Sequence, residues 1–491
     1  MSFGDILVAK GLASPDDIVR ALDHQKTNGG RIGESLVALG VVTQQQVSEV
    51  IGEMPPAPLS LDDTGIDPVF LLQLMLKGMF TERMELPSQL SEALKLSTSI
   101  VNKLLADAKD RKLVETLGAA IGGGGAIPEM RHALTKAGRE WTQEAIDNSQ
   151  YFGPAPVSLD AYQDRIVRQR ITNEVISRQR LEEAFAGLVM PERFLMRLGP
   201  AINSGNPILI YGPAGNGKTT IAEIIGKVFH NVIFVPYCVE IGGEIMKVYD
   251  PTIHRSIEGS SGVETTQGVR LGPIDRRWVP CYRPLVATGG ELTLGMLDLK
   301  FNPIAKFYEA PLHVKAINGT FLIDDFGRQL AKPEEILNRW IVPLNSRIDY
   351  LTLHSGKSVK LPFDEIVIFS TNMHPNDLMD PAFQRRISYK LETLEPPEDL
   401  YRKVFKTMAV KQGLELPESI YQQVIDGIRA AEAPLAYFQP KFIVEQVLAS
   451  CKFEGIKPQF TPQNTEDALS NLFIQSAKSK HMGVMRVMRS A

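Results

Sequence analysis

The stretch GPAGNGKTT at 212–220 constrains this chain more than any other. It follows an apolar run, PILIY, and precedes a helix-forming run, IAEIIGKVF. Gly212 to Thr219 fit the pattern GxxxxGK[ST], in the strand-before, helix-after setting where such a loop cradles phosphate. A glycine-rich turn lets successive backbone N–H groups face phosphate oxygens, and the N-terminus of the next helix adds positive potential. The cradle comprises Gly212, Pro213, Ala214, Gly215, Asn216, Gly217, Lys218, Thr219 and Thr220. Lys218 is expected on the β- and γ-phosphates, and Thr219 on magnesium.

Three further stretches follow in order. NGTFLIDDFGRQ (318–329) reads as a buried parallel strand ending in Asp324 and Asp325. Two adjacent acids at a core strand's end need a cation or a task to offset their repulsion. Asp324 is expected to hold magnesium, and Asp325 to orient the attacking water. DEIVIFSTNMHP (364–375) is a second apolar strand, ending in Thr371 and Asn372. DPAFQRRISYKLE (380–392) sets Arg385 and Arg386 behind a short helix. This ordered set resembles the AAA+ ATPases over about residues 185–480. The resemblance implies an α/β core with a parallel sheet and P-loop, a helical lid, and ATP and magnesium as ligands. It makes Asn372 the sensor of the γ-phosphate and Arg385 and Arg386 arginine fingers for a neighbour's nucleotide. A ring, usually a hexamer, is therefore implied. Lys441, in YFQPKFIVEQVL, takes the place of the lid's sensor arginine. The chain departs from the family in carrying Asp-Asp where Asp-Glu is usual.

Between the strand NVIFVPY (231–237) and the Asp-Asp strand lie about 80 residues, more than a simple crossover needs. An insertion is expected there. RPLVATGGELTLGML, broken by Gly289-Gly290, reads as a β-hairpin within it, and GKSVKLPFDEIVIF as a hairpin leading back into the sheet. No aromatic-hydrophobic-Gly pore loop stands out. His254 and His313 lack metal-ligand spacing.

The N-terminus repeats itself. Two 24-residue blocks, 2–25 and 31–54, align at an offset of 29, with Gly4, Leu7, Val8 and Gly11 matching Gly33, Leu36, Val37 and Gly40. Each reads as helix, glycine turn, then a helix capped by Ser14 or Thr43. The pair resembles the cyclic di-GMP-binding domain of type II secretion and type IV pilus ATPases. The matching positions are Gly4, Leu7, Val8, Gly11, Leu12, Ile18, Leu22 and Gln25, then Arg31, Gly33, Leu36, Val37, Gly40, Val41 and Val47. The resemblance implies glycines that let backbone approach the ligand and apolar side chains over its guanines. Arg31 holds phosphate or a guanine edge. Ser2 stands where the first arginine is expected, and Met54 where the second glutamine is. The bland alternative is a helical docking module.

A proline-rich linker (55–65) leads to residues 66–150, which read helix, helix, helix, strand, wing-like loop, strand, helix. That order resembles a winged helix-turn-helix. Lys103, Lys109, Arg111 and Lys112 suit phosphate contact, but Asp107 and Asp110 share their helix. With a net charge of -4, the chain is read as docking protein here and not nucleic acid. A linker at 151–184, the ATPase core at 185–395 and the lid at 396–491 complete the division. Three separated cysteines argue against zinc ribbons and disulfides. No signal peptide or bilayer-spanning run is evident, so a bacterial cytoplasmic protein is expected. The leading expectation is an ATPase that remodels a protein assembly under cyclic di-GMP control. A secretion or pilus ATPase, a DNA-binding regulator and an ATP-gated scaffold stay open beside it.

Overall fold

A computed structural model describes residues 3–28, 32–44, 46, 47, 50, 54–119, 129–257 and 274–473. Arg31, Ser2, most of the wing-like loop and the basic tail lie outside the described residues.

The phosphate loop rises from a five-stranded sheet, ordered Tyr389–Glu392, Ile208–Tyr211, Ile366–Thr371, Thr320–Ile323, Leu285–Thr288. Ile208–Tyr211 pairs in parallel with both neighbours, and Tyr211 stands opposite Thr371 on one side and Glu392 on the other. Ile208, Leu209 and Ile210 are buried, as are Ile366 to Phe369. Such unbroken apolar runs belong to strands covered on both faces.

Two expectations are corrected. The strand beside Thr320–Ile323 is Leu285–Thr288, not the run at 231–237. Val232–Pro236 pairs antiparallel with Trp278–Tyr282 in a ribbon of its own. Both runs are short, apolar and buried, so their composition does not say which strand each joins. Nor does Gly289-Gly290 turn a hairpin. Glu291 accepts the Gly289 N–H at 2.9 Å, Leu330 N–H donates to the Gly290 carbonyl at 3.2 Å, and the chain continues into a 3-10 turn at Leu294–Leu297. The later hairpin is present, with Ile348–Thr352 antiparallel to Ser358–Pro362.

The chain forms two compact units. One comprises Met1–Val175, Phe229–Leu322 and Gln329–Val367. In it, helices Phe3–Ala9, Pro15–Asn28 and Ile32–Ala38 carry the N-terminal repeat. Leu12 N–H donates to the Leu7 carbonyl and Val41 N–H to the Leu36 carbonyl, so both first helices end in the same way, each just past a left-handed glycine. A Cβ on Gly4 would lie 2.8 Å from Ile18, and one on Gly33 3.0 Å from Val47. These two glycines bring the helices of each block together. Leu7, Leu36, Ile18 and Val47 fill the same core, and Met54 joins it.

Next come helices Pro68–Thr81, Pro87–Leu94 and Thr98–Asp110, the antiparallel strands Val114–Ala119 and Met130–Leu134, and helix Lys136–Asn148. Ser97 and Thr135 cap two of these helices with their hydroxyls. The inserted residues build a second five-stranded sheet, ordered Lys300–Asn302, Phe307–Glu309, Glu244–Lys247, Cys238–Ile241, Val157–Ser158. Its Cys238 and Ile245 share a core with the three helices, and Val239, Ile241 and Met246 share one with the N-terminal repeat. A buried ion pair ties these pieces. Arg277 binds both oxygens of Asp275 and donates to the Thr64 and Pro156 carbonyls at 3.0 and 2.9 Å.

The other unit comprises Ile176–Val228, Ile323–Arg328 and Ile368–Ala491. It holds the phosphate loop and four helices, Glu398–Lys411, Glu418–Ala430, Phe438–Glu454 and Pro462–Leu472, around Tyr401, Phe405, Tyr421 and Val447. No helix among the described residues is long and apolar enough to cross a membrane.

Removing Arg277 strands a buried carboxylate and two carbonyls. Arg277→Ala is expected to cost about 3–5 kcal/mol in denaturant unfolding. A loss under about 1 kcal/mol would show that the pair does not tie the inserted sheet to its neighbours.

Candidate nucleotide site

Because Ile208–Tyr211 and its neighbour at 366–371 run in parallel and in register, their carboxyl ends meet at one level. Ligands in open α/β sheets bind at such ends. The loop after Tyr211 turns sharply there. Gly212 has φ 137°, and a Cβ on it would stand 2.2 Å from the Thr393 carbonyl oxygen. Gly215 has φ 79°, with the Phe438 ring 2.2 Å from where its Cβ would be. Neither position admits a side chain. The helix Lys218–Lys227 then begins at Gly217.

The reactive groups are joined by hydrogen bonds. Lys218 Nζ donates to the Gly212 and Pro213 carbonyls at 3.0 and 2.8 Å, so the ammonium lies within the loop's curve. Burial pulls its pKa below the ordinary lysine range, while Asp325 and Asp324 pull the other way. The Thr219 hydroxyl donates to Asp324 Oδ2 at 2.7 Å. Asn372 Nδ2 donates to Asp325 Oδ1 at 3.2 Å. Asp324 and Asp325 occupy the turn after Ile323, where Asp325 takes a left-handed φ of 48°. That turn is pinned to the next strand. Phe326 N–H donates to the Ser370 carbonyl at 2.7 Å. The buried Thr371 hydroxyl donates to the Phe326 carbonyl at 2.8 Å and accepts from Met373 N–H at 3.1 Å. Thr371 thus sets the level at which Asn372 meets Asp325.

A cavity of about 370 Å³ opens beside Asn216 and Gly217. Its walls are mainly apolar, including Leu188, Val189, Met190, Ile221, Met408 and Tyr437, with Thr393 and Arg197 among the polar ones. Size and lining suit the base and sugar of a nucleotide. The cavity was not legible in sequence. It is assembled from the segment at 187–194, the loop and the helical region, and only the apolar GLVM before the helix hinted at a wall.

Not all expected residues join this cluster. Arg385 is exposed on the short helix Pro381–Arg386, and its side chain makes no hydrogen bond or ion pair among the described residues. Arg386 is tied down, donating to the Ala382 carbonyl at 2.9 Å with its guanidinium over the Phe383 ring. Lys441 is exposed and pairs with Glu445 at 3.7 Å, with no bond to the phosphate loop. In the N-terminal repeat, Gly11, Leu12, Gly40 and Val41 line an open depression with Asp17 and Arg20. Val8, Leu22, Gln25 and Val37 are half-buried outside it. His254 and His313 make core contacts, with the Asp250 N–H and the Asp349 carboxylate respectively.

Residues 397–471 match a family described as a domain of unknown function (DUF8689). No curated protein matches the chain. Among solved structures, NtrX from Brucella abortus is similar at 13% identity and TM-score 0.38, over 61% of this chain and 60% of that one. The Thermotoga maritima RuvB Holliday junction branch migration motor is similar at 14% and 0.30, over 62% and 73%. Domain III of the Thermotoga maritima replication initiation protein DnaA is similar at 13% and 0.33, over 60% and 98%. Likeness of this degree carries no activity with it.

Thr371→Val removes a hydroxyl that satisfies two backbone groups without changing the side chain's shape. It is expected to cost about 1–3 kcal/mol in thermal or denaturant unfolding, with Thr371→Ser losing less. Equal stability of Thr371→Val and the parent would show that the hydroxyl does not pin the turn.

Proposed function

We propose that this chain is an ATPase of the AAA+ type that uses hydrolysis to remodel a protein assembly. The observation that carries the reading is the convergence of Lys218, Thr219, Asp324, Asp325 and Asn372 on one end of the sheet: Thr219 bonds to Asp324, Asn372 bonds to Asp325, and both acids act on the Lys218 ammonium, which the loop's own carbonyls hold. Sequence separates these residues into three segments, and a structural glycine loop would not need the other two.

Each group has a task in phosphoryl transfer. Lys218 and the loop's N–H groups hold the β- and γ-phosphates, and the cavity beside Asn216 takes the base. The Thr219 hydroxyl and the Asp324 carboxylate are oxygen donors bonded to one another, so both fall within reach of one small hard cation such as magnesium. Magnesium, when bound, supplies charge neutralisation on the phosphate oxygens. Asp325, held by Asn372, orients the attacking water and accepts its proton as the water oxygen bonds to the γ-phosphorus and the bond to ADP breaks. Asp325 is a methylene shorter than the usual glutamate, and its left-handed backbone is the feature that compensates in this reading. Arg385 is free to reach a neighbouring subunit's nucleotide, where a guanidinium would offset transition-state charge. Arg386 is the pair's structural member. Lys441 is left as a weak claimant to a sensor role, given its bond to Glu445.

The N-terminal repeat is proposed as the regulatory module, with cyclic di-GMP as its ligand. The depression lined by both glycine turns supports this, because a site built twice from one motif suits a ligand with two equal halves. The helices and strands at 68–148 are proposed as a winged-helix-like module that docks protein.

Lys218→Ala is expected to weaken binding of a slowly hydrolysed ATP analogue at least about a hundredfold, read by calorimetry on the full chain. Binding as tight as the parent's would overturn the nucleotide site. A separate titration of the parent with cyclic di-GMP should release or absorb measurable heat. A flat isotherm at high micromolar ligand would remove that ligand and leave the repeat a docking module.

A further inference from the structure

Helix Phe438–Glu454 begins without a cap of its own. A helix leaves its first N–H groups without intrahelical partners, and a side chain at the N-cap normally takes one of them. Here the N-cap residue is Tyr437, which has no side-chain oxygen in place to do so. The phosphate loop supplies the acceptors. Tyr437 N–H donates to Asn216 Oδ1 at 3.4 Å, and Phe438 N–H donates to the Gly215 carbonyl at 3.0 Å. Gly215 permits this approach, because the Phe438 ring occupies the place of a Cβ.

Asn216 is the unusual member. It is 4% exposed, although Pro213, Ala214, Thr219 and Thr220 around it are exposed. A backbone N–H cannot face an amide NH2, so the bond from Tyr437 fixes the side chain's orientation. Nδ2 is then buried with no hydrogen-bond partner among the described residues, beside the cavity that Asn216 helps line. Leaving a buried donor unpaired is unfavourable, and a ligand acceptor would relieve it.

We propose that Asn216 is a positioning residue that latches the helical region to the phosphate loop. Its Oδ1 caps the helix Phe438–Glu454, and its Nδ2 donates to the bound nucleotide. Nucleotide binding and the position of that helix are thereby coupled through one side chain. The proposal rests on the nucleotide reading above. It also accounts for a helix whose one nearby cation, Lys441, is paired with Glu445. The coupling is carried by neutral hydrogen bonds at the helix start and not by a charge further along it.

Hydrogen exchange on the full chain tests this, with and without a slowly hydrolysed ATP analogue. In the parent, the segment holding Tyr437 and Phe438 should be protected, and its protection should change when the analogue binds. Asn216→Ala should speed exchange there about fivefold, the rate equivalent of one lost cap, and abolish the response to the analogue. Protection in helix Glu418–Ala430 should not move, which separates loss of the latch from unfolding. Asn216→Asp keeps the acceptor and lacks the donor. It should restore protection at Tyr437 while weakening analogue binding about tenfold or more. If Asn216→Ala keeps parental protection and response, or if Asn216→Asp fails to restore protection, the latch is wrong. If the parent binds no analogue, the nucleotide reading itself fails, and protection at Tyr437 in the absence of analogue still decides the cap.

Discussion

The parallel register of Ile208–Tyr211 against Ile368–Thr371 and Tyr389–Glu392 is the constraint on which the site depends. It brings Tyr211, Thr371 and Glu392 to one level, so each loop that follows starts from the same edge. From Tyr211 the chain enters the phosphate loop. From Thr371 it enters Asn372. From Glu392 it passes Thr393, whose carbonyl packs so closely on Gly212 that no side chain fits. A one-residue slip of Ile208–Tyr211 against Ile368–Thr371 would reverse the facing of its residues and shift the phosphate loop away from the level of Asn372.

Hydrogen bonds then tie the segments leaving that shared edge to one another. Thr371 fixes the turn holding Asp324 and Asp325 by its hydroxyl, and Asn372 fixes Asp325 by its amide. These bonds hold the two acids in place without any ligand, as the proposed role in phosphoryl transfer requires. Asp325 accepts a left-handed backbone as part of that arrangement. Such conformations are uncommon outside glycine, although aspartate adopts them more readily than most residues, and they persist where surrounding bonds over-determine them.

How much of this was legible in sequence follows from how local each feature is. The loop from Gly212 to Thr219 and the acids at 324 and 325 could be read because each lies in one short segment with a fixed chemical task. The partner of the Asp-Asp strand was not. VIFVP and LVAT are equally apolar, and only tertiary pairing makes one an antiparallel ribbon and the other the sheet's edge. The helix packing at Gly4 and Gly33 was not legible, because close helix packing and ligand approach ask for the same absent Cβ. The cavity beside Asn216 could not be read, since its walls come from segments some 250 residues apart.

The inserted sheet gives the N-terminal modules a place to pack within their own unit. Val239 and Met246 face the core of the repeat, and Cys238 and Ile245 that of the three helices. The sheet's two faces thus carry the repeat on one side and the three helices on the other, while the phosphate loop belongs to the other unit. The claim at the centre is that the chain turns over ATP with a neighbour's help. The most direct test is magnesium-dependent phosphate release from ATP by the full chain, followed across protein concentration. The account predicts a rate per chain that rises with concentration and loses that rise in Arg385→Ala. No magnesium-dependent release at any concentration would contradict it.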